Sequence, residues 1–436
     1  MKRELYKKLL EWKHSPDRKP LVLEGARQVG KTWLLKEFGG SEYENLVYIN
    51  CDNNPQMHSL FSDFDTKRIF RGLSAIAGQS ITPGKTLVIL DEVQEVPLAL
   101  TALKYFCEDA PEQHIAVAGS LLGLKVHSST GFPVGKTDSL VLYPLSFMEF
   151  LRAMGKNILI ERIQSRAWEE LNMLSPQLTE LLRQYYFTGG MPEVVLTYIE
   201  TQDLQKVRRR QKDILSGYER DFSKHAPAKD VPKINLVWKS VPSQLAKENK
   251  KFIYGALKSG GRAKEFENAI QWLEDAGLVH KVCRVSKMST PLKFYEKFEC
   301  FKLFANDLGL LGAMADAPAS EILIGNNAFS NYKGSFTEQY VAQQFFSTCG
   351  KDLFYYANEN STLEIDFVFQ SSGVFPTEVK AEENLRSKSL STVLKSDPAL
   401  HGIRFSMSNY KKQEQMENVP LPLVEEFLKS VQETEL

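Results

Sequence analysis

Gly25-Ala26-Arg27-Gln28-Val29-Gly30-Lys31-Thr32 follows the apolar run Leu21-Val22-Leu23 and opens a segment that we predict to be helical as far as Phe38. It matches the pattern G-x-x-x-x-G-K-[ST] at every fixed position, which is typical of a phosphate-binding loop. The two glycines allow successive backbone N–H groups to surround a polyphosphate. Lys31 is placed to reach the terminal phosphates, and Thr32 to offer a hydroxyl to Mg²⁺. We therefore predict that these eight residues bind a nucleotide.

The composition is that of an ordinary globular protein of several domains, with 436 residues, 43% hydrophobic and 25% charged. Lysine plus arginine and aspartate plus glutamate both number 54, so net charge does not indicate a nucleic-acid or membrane partner. The five cysteines form no C-x-x-C pair, and no apolar run reaches the roughly 18 residues of a membrane span. We expect a cytoplasmic protein with reduced thiols and no membrane partner.

Further apolar runs recur along the first 145 residues, separated by segments long enough for crossover helices. This alternation predicts a parallel α/β sheet with its ligand at the carboxyl ends of the strands. The runs are Leu46-Val47-Tyr48-Ile49, Leu87-Val88-Ile89-Leu90, Ile115-Ala116-Val117-Ala118 and Leu140-Val141-Leu142.

Polar residues follow two of these predicted strands. Asp91 and Glu92 come directly after Leu90, and Ser120 follows the next strand. A carboxylate at this place can hold Mg²⁺, and a second one beside it can orient and deprotonate an attacking water. Ser120 can sense the terminal phosphate, or its hydroxyl can be satisfied within its own turn.

These features together resemble the AAA superfamily of ATPases. The resemblance implies ATP and Mg²⁺ as cofactors, with Asp91 coordinating the metal, Glu92 as the catalytic glutamate and Ser120 as the first sensor. More narrowly, the whole chain resembles a prokaryotic family that joins an AAA-type ATPase to a C-terminal domain of unknown function with a nuclease-like fold. The segments that carry this resemblance are the phosphate-binding loop, Leu90-Asp91-Glu92-Val93-Gln94, Phe132-Pro133-Val134-Gly135-Lys136, Tyr143-Pro144-Leu145-Ser146-Phe147 and Gly189-Gly190-Met191-Pro192-Glu193.

An AAA-type site is usually completed by an arginine from a neighbouring subunit, because the transferring phosphoryl group carries negative charge. Four arginines are candidates for this role, and each can equally be a solvated helix residue: Arg68, Arg71, Arg152 and Arg162. We expect a homo-oligomer. The alternative is slow hydrolysis by an isolated chain.

The middle of the chain divides into a helical lid and connector over residues 146–228 and a winged-helix-like segment over residues 229–290. The first contains a basic run, and the second has Arg262 and Lys264 at the start of a predicted recognition helix. The run consists of Lys206, Arg208, Arg209, Arg210 and Lys212. These side chains can contact DNA phosphates, but charge runs are more often solvated faces, and winged helices also serve only for packing between domains.

Residues 291–436 show charged residues in the order found in nucleases. Glu338 lies in a predicted helix, and two later predicted strands carry Asp366 and the pair Glu378 and Lys380. This order resembles the PD-(D/E)xK nuclease fold. It predicts a second Mg²⁺ or Mn²⁺ on Glu338, Asp366 and Glu378, with Lys380 as a catalytic residue. Alone, alternating charge is typical of the wet face of any strand, and such a set can also be catalytically silent.

The predicted fold is thus α/β: a parallel-sheet P-loop domain (1–145), a helical lid, a winged-helix-like middle and a C-terminal nuclease-like domain. We expect ATP hydrolysis that alters the placement of this last domain on DNA. The alternative is a signalling or assembly switch in which the C-terminal domain is a docking platform. A small-molecule kinase fits less well, because Asp91 and Glu92 are placed to activate water. The acidic tail around Glu425, Glu426, Glu433 and Glu435 is expected to be a solvated helix.

Overall fold

The computed structural model describes residues 1–119, 135–247, 250–324, 332–350, 352–360, 362–382 and 387–433. The chain forms two compact units. The first comprises residues 2–143 and 275–278, and the second comprises Met1 and residues 144–274 and 279–436.

The first unit contains a five-stranded sheet in the order β2-β3-β4-β1-β5, in which every neighbouring pair of strands is parallel. The strands are β1 (Leu21–Glu24), β2 (Asn45–Asn50), β3 (Thr86–Asp91), β4 (His114–Ala118) and β5 (Asp138–Val141). The helices are α1 (Leu5–His14), α2 (Lys31–Glu42), α3 (Pro55–Leu60), α4 (Thr66–Ala77) and α5 (Pro97–Asp109). The parallel sheet predicted from the alternating apolar runs is confirmed.

The core of this unit lies on the central strands. Every residue of β3 and β4 is buried, as expected for parallel strands with helices on both faces of the sheet. On one side, Ile69 and Leu73 of α4 and Phe106 of α5 pack in a single cluster with Val88 and Val117. The polar residues Glu24 and Asp91 end β1 and β3 at the carboxyl edge of the sheet.

The second unit begins with a run of helices, as the helical spacing predicts. They are α6 (Phe147–Ala153), α7 (Asn157–Gln164), α8 (Ser175–Thr188), α9 (Pro192–Thr201), α10 (Leu204–His225), α11 (Val231–Leu245) and α12 (Ala263–Asp275). A capping box starts α6, in which the Ser146 hydroxyl accepts from the Glu149 N–H and the Glu149 carboxylate accepts from the Ser146 N–H.

The Gly189-Gly190 pair joins three segments of this unit. The Gly190 N–H donates to Asp307 Oδ2 at 2.6 Å, and the Gly190 carbonyl accepts from the Leu145 N–H at 2.7 Å. A Cβ at position 190 would lie 2.1 Å from the Leu145 carbonyl oxygen, and Gly189 has φ 71°. Close backbone packing therefore explains why both positions are glycine.

The rest of the second unit is built on a mixed eight-stranded sheet in the order β12-β13-β11-β10-β9-β8-β6-β7. Its strands are β6 (Val279–Val285), β7 (Glu296–Ala305), β8 (Phe354–Ala357), β9 (Glu364–Gln370), β10 (Val374–Val379), β11 (Gly402–Ser406), β12 (Lys411–Lys412) and β13 (Met416–Pro420). The accompanying helices are α13 (Leu308–Met314), α14 (Ala319–Ile324), α15 (Lys333–Cys349), α16 (Lys388–Ser396) and α17 (Val424–Glu433).

The predicted winged-helix segment (229–290) is made of two helices and a strand. It consists of one long helix, α11, a single turn at Tyr254–Ala256, and α12, followed by β6. Strand β6 pairs antiparallel with β7 and parallel with β8. The predicted boundary at residue 290 thus falls inside the β6–β7 hairpin, which belongs to the same sheet as the C-terminal strands. The domain limits and the winged-helix assignment stay predictions.

The expectation of a solvated acidic tail was wrong for Glu425 and Glu426, whereas the Glu433 side chain is 61% exposed and Glu435 lies outside the described residues. Glu425 and Glu426 in α17 are 2% and 5% exposed. Glu425 accepts from the Met148 N–H and pairs with Lys429, while Arg166 pairs with Glu426 at 2.9 Å. The carboxylates are buried because donors from distant segments meet them, which local sequence does not reveal. Among the described helices, none is both long and apolar enough to cross a membrane.

We predict that Gly190→Ala lowers the free energy of unfolding of the second unit by about 2–3 kcal/mol, because the new methyl group meets backbone that cannot move away. Urea denaturation followed by circular dichroism measures this loss. The control is Gly334→Ala in α15, where a Cβ meets no atom within 4 Å and the change should stay within about 1 kcal/mol. Equal stability of both variants would contradict the close-packing explanation.

Candidate functional site

The loop between β1 and α2 has the backbone geometry of an anion-binding turn. Gly25 has φ 151° and Gly30 has φ 95°, values that side chains rarely allow. A Cβ on Gly25 would lie 2.3 Å from the Leu142 carbonyl oxygen. Ala26 and Val29 are buried and anchor the loop, while Arg27 and Gln28 are exposed. The N-terminus of α2 follows directly, and its dipole favours a bound anion.

Lys31 lies at the centre of this loop. Its ammonium donates to the carbonyl oxygens of Gly25 and Ala26 at 2.8 and 2.9 Å. Burial lowers the pKa of Lys31 to about 8, against the opposing charges of Glu92 and Asp91. The phosphates of a nucleotide would offer this ammonium stronger acceptors than two carbonyls.

Asp91 joins the loop to the sheet. The side chain is buried, with the residue 4% exposed, and its Oδ2 accepts from the Thr32 hydroxyl at 2.7 Å and the Tyr48 hydroxyl at 3.0 Å. The predicted partners Thr32 and Asp91 are therefore in direct contact, although they are 59 residues apart. A hydroxyl and a carboxylate are oxygen ligands of the kind that Mg²⁺ prefers, so this donor set fits the ion.

Glu92 sits next to Asp91 in an unusual backbone conformation, with φ 49°. A non-glycine residue in the left-handed region costs roughly 1 kcal/mol, and such strain is concentrated at functional sites. The Glu92 carboxylate accepts from the Gln94 amide at 2.6 Å, which holds it in one orientation. Ser120, the predicted sensor, lies outside the described residues.

Sequence reasoning missed three residues of this site. Tyr48 was taken only as part of an apolar run, and Gln94 only as part of a family motif. Arg3 had no signal at all: its guanidinium donates to the Val29 carbonyl at 2.9 Å and to the Tyr143 carbonyl at 2.5 Å, and the residue is 6% exposed. Arg3 thus ties the phosphate-binding loop, through Val29, to Tyr143.

The charged residues predicted in the C-terminal part occur on elements in the predicted order. Glu338 lies in α15, Asp366 in β9 and Glu378 in β10, with Lys380 just beyond the end of β10. Lys380 pairs with Glu378 at 2.6 Å, and Asp366 Oδ2 accepts from the Val379 N–H at 2.8 Å. Burial and the charge of Glu338 raise the pKa of Asp366 to about 7.

Two lysines that the sequence did not single out complete this group. Lys250 donates to Glu338 Oε1, and Lys302 lies 3.8 Å from Glu338 Oε2 and 2.6 Å from Glu364 Oε1. The positive charges of Lys250 and Lys302 outweigh burial, so the pKa of Glu338 is lowered. We call Lys250, Lys302, Glu338, Glu364, Asp366, Glu378 and Lys380 the lysine–carboxylate cluster.

In this arrangement the cluster does not fit a divalent cation. The ammonium groups of Lys250 and Lys302 already contact the Glu338 carboxylate, which would have to ligate the ion. Throughout the described ranges, no three histidine, cysteine, aspartate or glutamate side chains are grouped so that they could hold a metal ion. The second metal is therefore unsupported.

Most of the basic residues considered for DNA contact have partners within the protein. Arg208 donates to the Ala317 carbonyl, Arg210 pairs with Glu193, and Lys212 pairs with Asp316. Arg262 and Lys264, by contrast, are exposed at the start of α12.

The four candidate arginine fingers lie in both units. Arg68 pairs with Asp63 at 2.5 Å in the first unit, where Arg71 is exposed. Arg152 and Arg162 belong to the second unit, and Arg162 lines a cavity of about 520 Å³ beside α7. These positions do not distinguish which of the four arginines is the finger.

Three family models match successive parts of the chain. Residues 17–151 match a family described as an AAA domain, and residues 179–321 and 333–424 each match a domain of unknown function. The first match agrees with the P-loop fold and its Asp91-Glu92 strand end. No curated protein matches the chain.

Solved structures with some similarity include a Walker-type ATPase of Pyrococcus abyssi, PABY2304, at 15% identity and a TM-score of 0.47, covering 72% of this chain and 95% of that one. The Aeropyrum pernix Orc1 protein in complex with DNA matches at 13% identity and a TM-score of 0.28, covering 74% and 92%. AMPPCP-bound DnaA from Aquifex aeolicus matches at 13% identity and a TM-score of 0.28, covering 62% and 86%. TM-scores this low support no argument about the function of this chain.

We predict that Tyr48→Phe weakens ATP binding about tenfold in Mg²⁺, because Asp91 loses a donor that orients it and such supporting partners have effects of this size. Calorimetric titration with ATP in Mg²⁺ and in EDTA measures the two affinities. Affinity in EDTA should be unchanged.

Tyr6→Phe is the matched control, since it removes a tyrosine hydroxyl from another carboxylate of the same unit, Glu42, at 2.8 Å. An equal loss for Tyr48→Phe with and without Mg²⁺ would show that the hydroxyl supports the loop and not the metal ligand.

Proposed function

We propose that the first unit binds ATP with Mg²⁺ and hydrolyses it. One observation carries this proposal: the contact of 2.7 Å between the Thr32 hydroxyl and Asp91 Oδ2 brings the phosphate-binding loop and the acidic strand end into one site. The match of residues 17–151 to an AAA domain supports it.

Each side chain then has a role in hydrolysis. The N–H groups of residues 25–32 and the Lys31 ammonium bind the phosphates, and they oppose the charge that develops on the transferred phosphoryl group. Thr32 and Asp91 hold Mg²⁺, which supplies further neutralisation of phosphate charge. Glu92, one residue beyond the metal ligand, orients water and takes its proton.

For the whole chain we propose that nucleotide state governs what the second unit binds. DNA is the partner that we favour for the test, because Arg262, just before α12, and Lys264, in its first turn, are both exposed. The finer hypothesis, DNA cleavage, requires Glu338, Asp366, Glu378 and Lys380 to work as a nuclease centre. The competing hypothesis is a protein-binding switch in which these residues are silent.

Lys31→Ala should abolish ATP binding, whereas Glu92→Gln should bind ATP normally and turn it over at least about a hundredfold more slowly, the scale of losing a catalytic base. Equilibrium titration with a fluorescent ATP analogue and a phosphate-release assay measure the two properties.

Lys85→Ala and Glu44→Gln are matched controls, because they remove the same charges from an exposed ion pair of the first unit. Full turnover by Glu92→Gln would remove Glu92 from the mechanism, and retained binding by Lys31→Ala would remove Lys31.

ATP turnover should rise severalfold when DNA is added, and Arg262→Glu with Lys264→Glu should cancel the rise by repelling phosphates. Lys212→Glu is the control, since Lys212 is engaged by Asp316 at 2.7 Å. Turnover is recorded with duplex DNA, single-stranded DNA and RNA, and light scattering of Glu92→Gln with ATP records the expected self-association.

Turnover indifferent to every nucleic acid would favour the protein-binding switch. Cutting of DNA in Mg²⁺ or Mn²⁺ that is lost in both Asp366→Ala and Lys380→Ala would establish the nuclease hypothesis. A mass equal to the monomer at full activity would require an arginine finger within the same chain.

A further inference from the structure

The β6–β7 hairpin carries two phenylalanines that face water. Phe294 and Phe298 are 83% and 67% exposed, whereas Phe301 and Phe304, farther along β7, are 3% and 0% exposed. An exposed aromatic ring forgoes the favourable free energy of burial, and neighbouring exposed apolar side chains usually mark a binding surface. The two exposed rings lie within one short segment, only four residues apart.

The backbone on both sides of Phe294 is held in place. Leu292 is buried, and its N–H donates to Oε1 of Gln370 on β9 at 3.0 Å. The Ser286 N–H donates to the Tyr295 carbonyl at 2.8 Å, which closes the hairpin just before β7. The fold therefore presents the Phe294 ring to solvent from a fixed position, which lowers the entropic cost of binding a partner there.

Lysines are interleaved with these rings. Lys293 and Lys297 each directly precede one of the two phenylalanines. The Lys287 ammonium lies 5.8 Å from the centre of the Tyr295 ring. Residues 281–299 contain five basic and two acidic residues, so the hairpin attracts a polyanion.

The acidic residues near the hairpin do not remove this attraction. Lys293 pairs with Asp352 at 2.6 Å, but both side chains are more than half exposed. A surface pair of this kind contributes little to stability, so a phosphate can replace the carboxylate at small cost. Glu296 and Glu299 are outnumbered by the basic residues of the same segment.

The surroundings of the two rings disfavour a protein strand as the partner. β7 is the outermost strand of its sheet, but the Phe252 N–H already donates to the Phe301 carbonyl at 2.8 Å. The pairing of β7 with β6 also shifts register between Cys283 and Arg284. Irregular edges and exposed lysines discourage strand addition, and lysine is depleted in the centres of protein interfaces.

Single-stranded nucleic acid matches both features of the hairpin. Proteins that bind unpaired strands combine aromatic side chains, on which bases stack, with cations that follow the phosphates. Paired bases stack on one another inside the duplex, so an exposed phenylalanine gains this contact only from an unpaired strand. Four extended residues span at most roughly 14 Å, close to the length of roughly four nucleotides at about 3.4 Å each.

We infer that the β6–β7 hairpin binds single-stranded DNA, with bases stacked on Phe294 and Phe298 and phosphates contacted by Lys287, Lys293 and Lys297. The inference rests on the proposed function in taking DNA as the partner of the second unit. It narrows that partner to an unpaired strand and assigns the contact to residues outside α12.

The test is fluorescence anisotropy on the full chain without nucleotide. The probes are an oligothymidine of about 20 nucleotides, longer than the roughly 4–16 that a comparable site covers, an abasic strand with the same phosphates, and a duplex of the same length. Phe294→Ala with Phe298→Ala should bind the oligothymidine at least about tenfold more weakly, because two stacking contacts are lost. Its affinity for the abasic strand and the duplex should stay within about twofold of wild type.

Further variants separate stacking from general apolar contact and from charge. Phe298→Trp should keep the affinity for oligothymidine and Phe298→Leu should lose it, because only the first retains an aromatic face. Lys297→Gln should make the salt dependence of binding shallower by about 0.7, the value for one phosphate contact on a single strand. The matched control is Ile158→Ala with Met173→Ala, which removes two apolar side chains of the same unit that are 76% and 83% exposed. It should change nothing.

Several results would overturn the inference. One is a wild-type chain that does not bind the oligothymidine. Another is unchanged oligothymidine affinity in Phe294→Ala with Phe298→Ala, or an equal loss on the abasic strand. Full affinity of Phe298→Leu would likewise show that no base stacks on this ring.

The proposed function can fail separately. ATP turnover that no nucleic acid changes, with oligothymidine binding that depends on Phe294 and Phe298, would refute the coupling to nucleotide state and support the hairpin site. Turnover that rises with DNA in both wild type and the double phenylalanine variant, with equal affinity of both for oligothymidine, would keep the coupling and overturn the hairpin site.

Discussion

A buried carboxylate needs hydrogen-bond donors or cations in place of water, and this constraint links separate segments in both units. Asp91 is met by the hydroxyls of Thr32 and Tyr48. Asp307 is met by the Gly190 N–H at 2.6 Å and the Leu310 N–H at 2.9 Å, while burial still raises its pKa to about 6. Removing one partner of a buried charge typically costs about 3–5 kcal/mol, more than most single contacts contribute. The buried carboxylates are therefore the points at which separate segments are tied together.

Local patterns were enough to predict the parallel sheet and the phosphate-binding loop of the first unit. The phosphate-binding loop is contiguous, and its glycines, Lys31 and Thr32 are required at fixed spacing by the conformation of the turn itself. The strands were visible because parallel strands are buried on both faces and read as continuous apolar runs. Asp91 could be placed beside Thr32 because parallel strands bring their carboxyl ends to one edge. The loop and each strand could be predicted because each depends on a short continuous stretch of sequence, and the general geometry of parallel sheets supplied the one long-range pairing.

What could not be predicted depends on contacts between distant segments. Lys250 meets Glu338 across 88 positions of sequence, and nothing around either residue marks the encounter. Arg3 likewise donates to the phosphate-binding loop at Val29, and no sequence pattern predicts this contact. Glu425 was predicted to be solvated because acidic helices usually are. It is buried because the Met148 N–H, from a distant segment, donates to it. Composition indicates that burying a charged side chain is unfavourable, but it does not indicate which partner in the folded chain compensates for that cost.

The two sites differ in the charge of those partners, and the difference decides what each can bind. At Asp91 both side-chain donors are neutral hydroxyls, and one of them, Thr32, would itself be a suitable ligand for Mg²⁺. At Glu338 the ammonium group of Lys250 donates to Oε1 and that of Lys302 lies 3.8 Å from Oε2, and these positive charges offset the charge that would attract a cation. A divalent ion would therefore displace no ammonium group hydrogen-bonded to Asp91, whereas at Glu338 it would have to compete with two lysines. A sequence pattern treats the carboxylates of Asp91 and Glu338 as equivalent candidate metal ligands. The neighbours that folding brings to them make the two differ in their attraction for a cation.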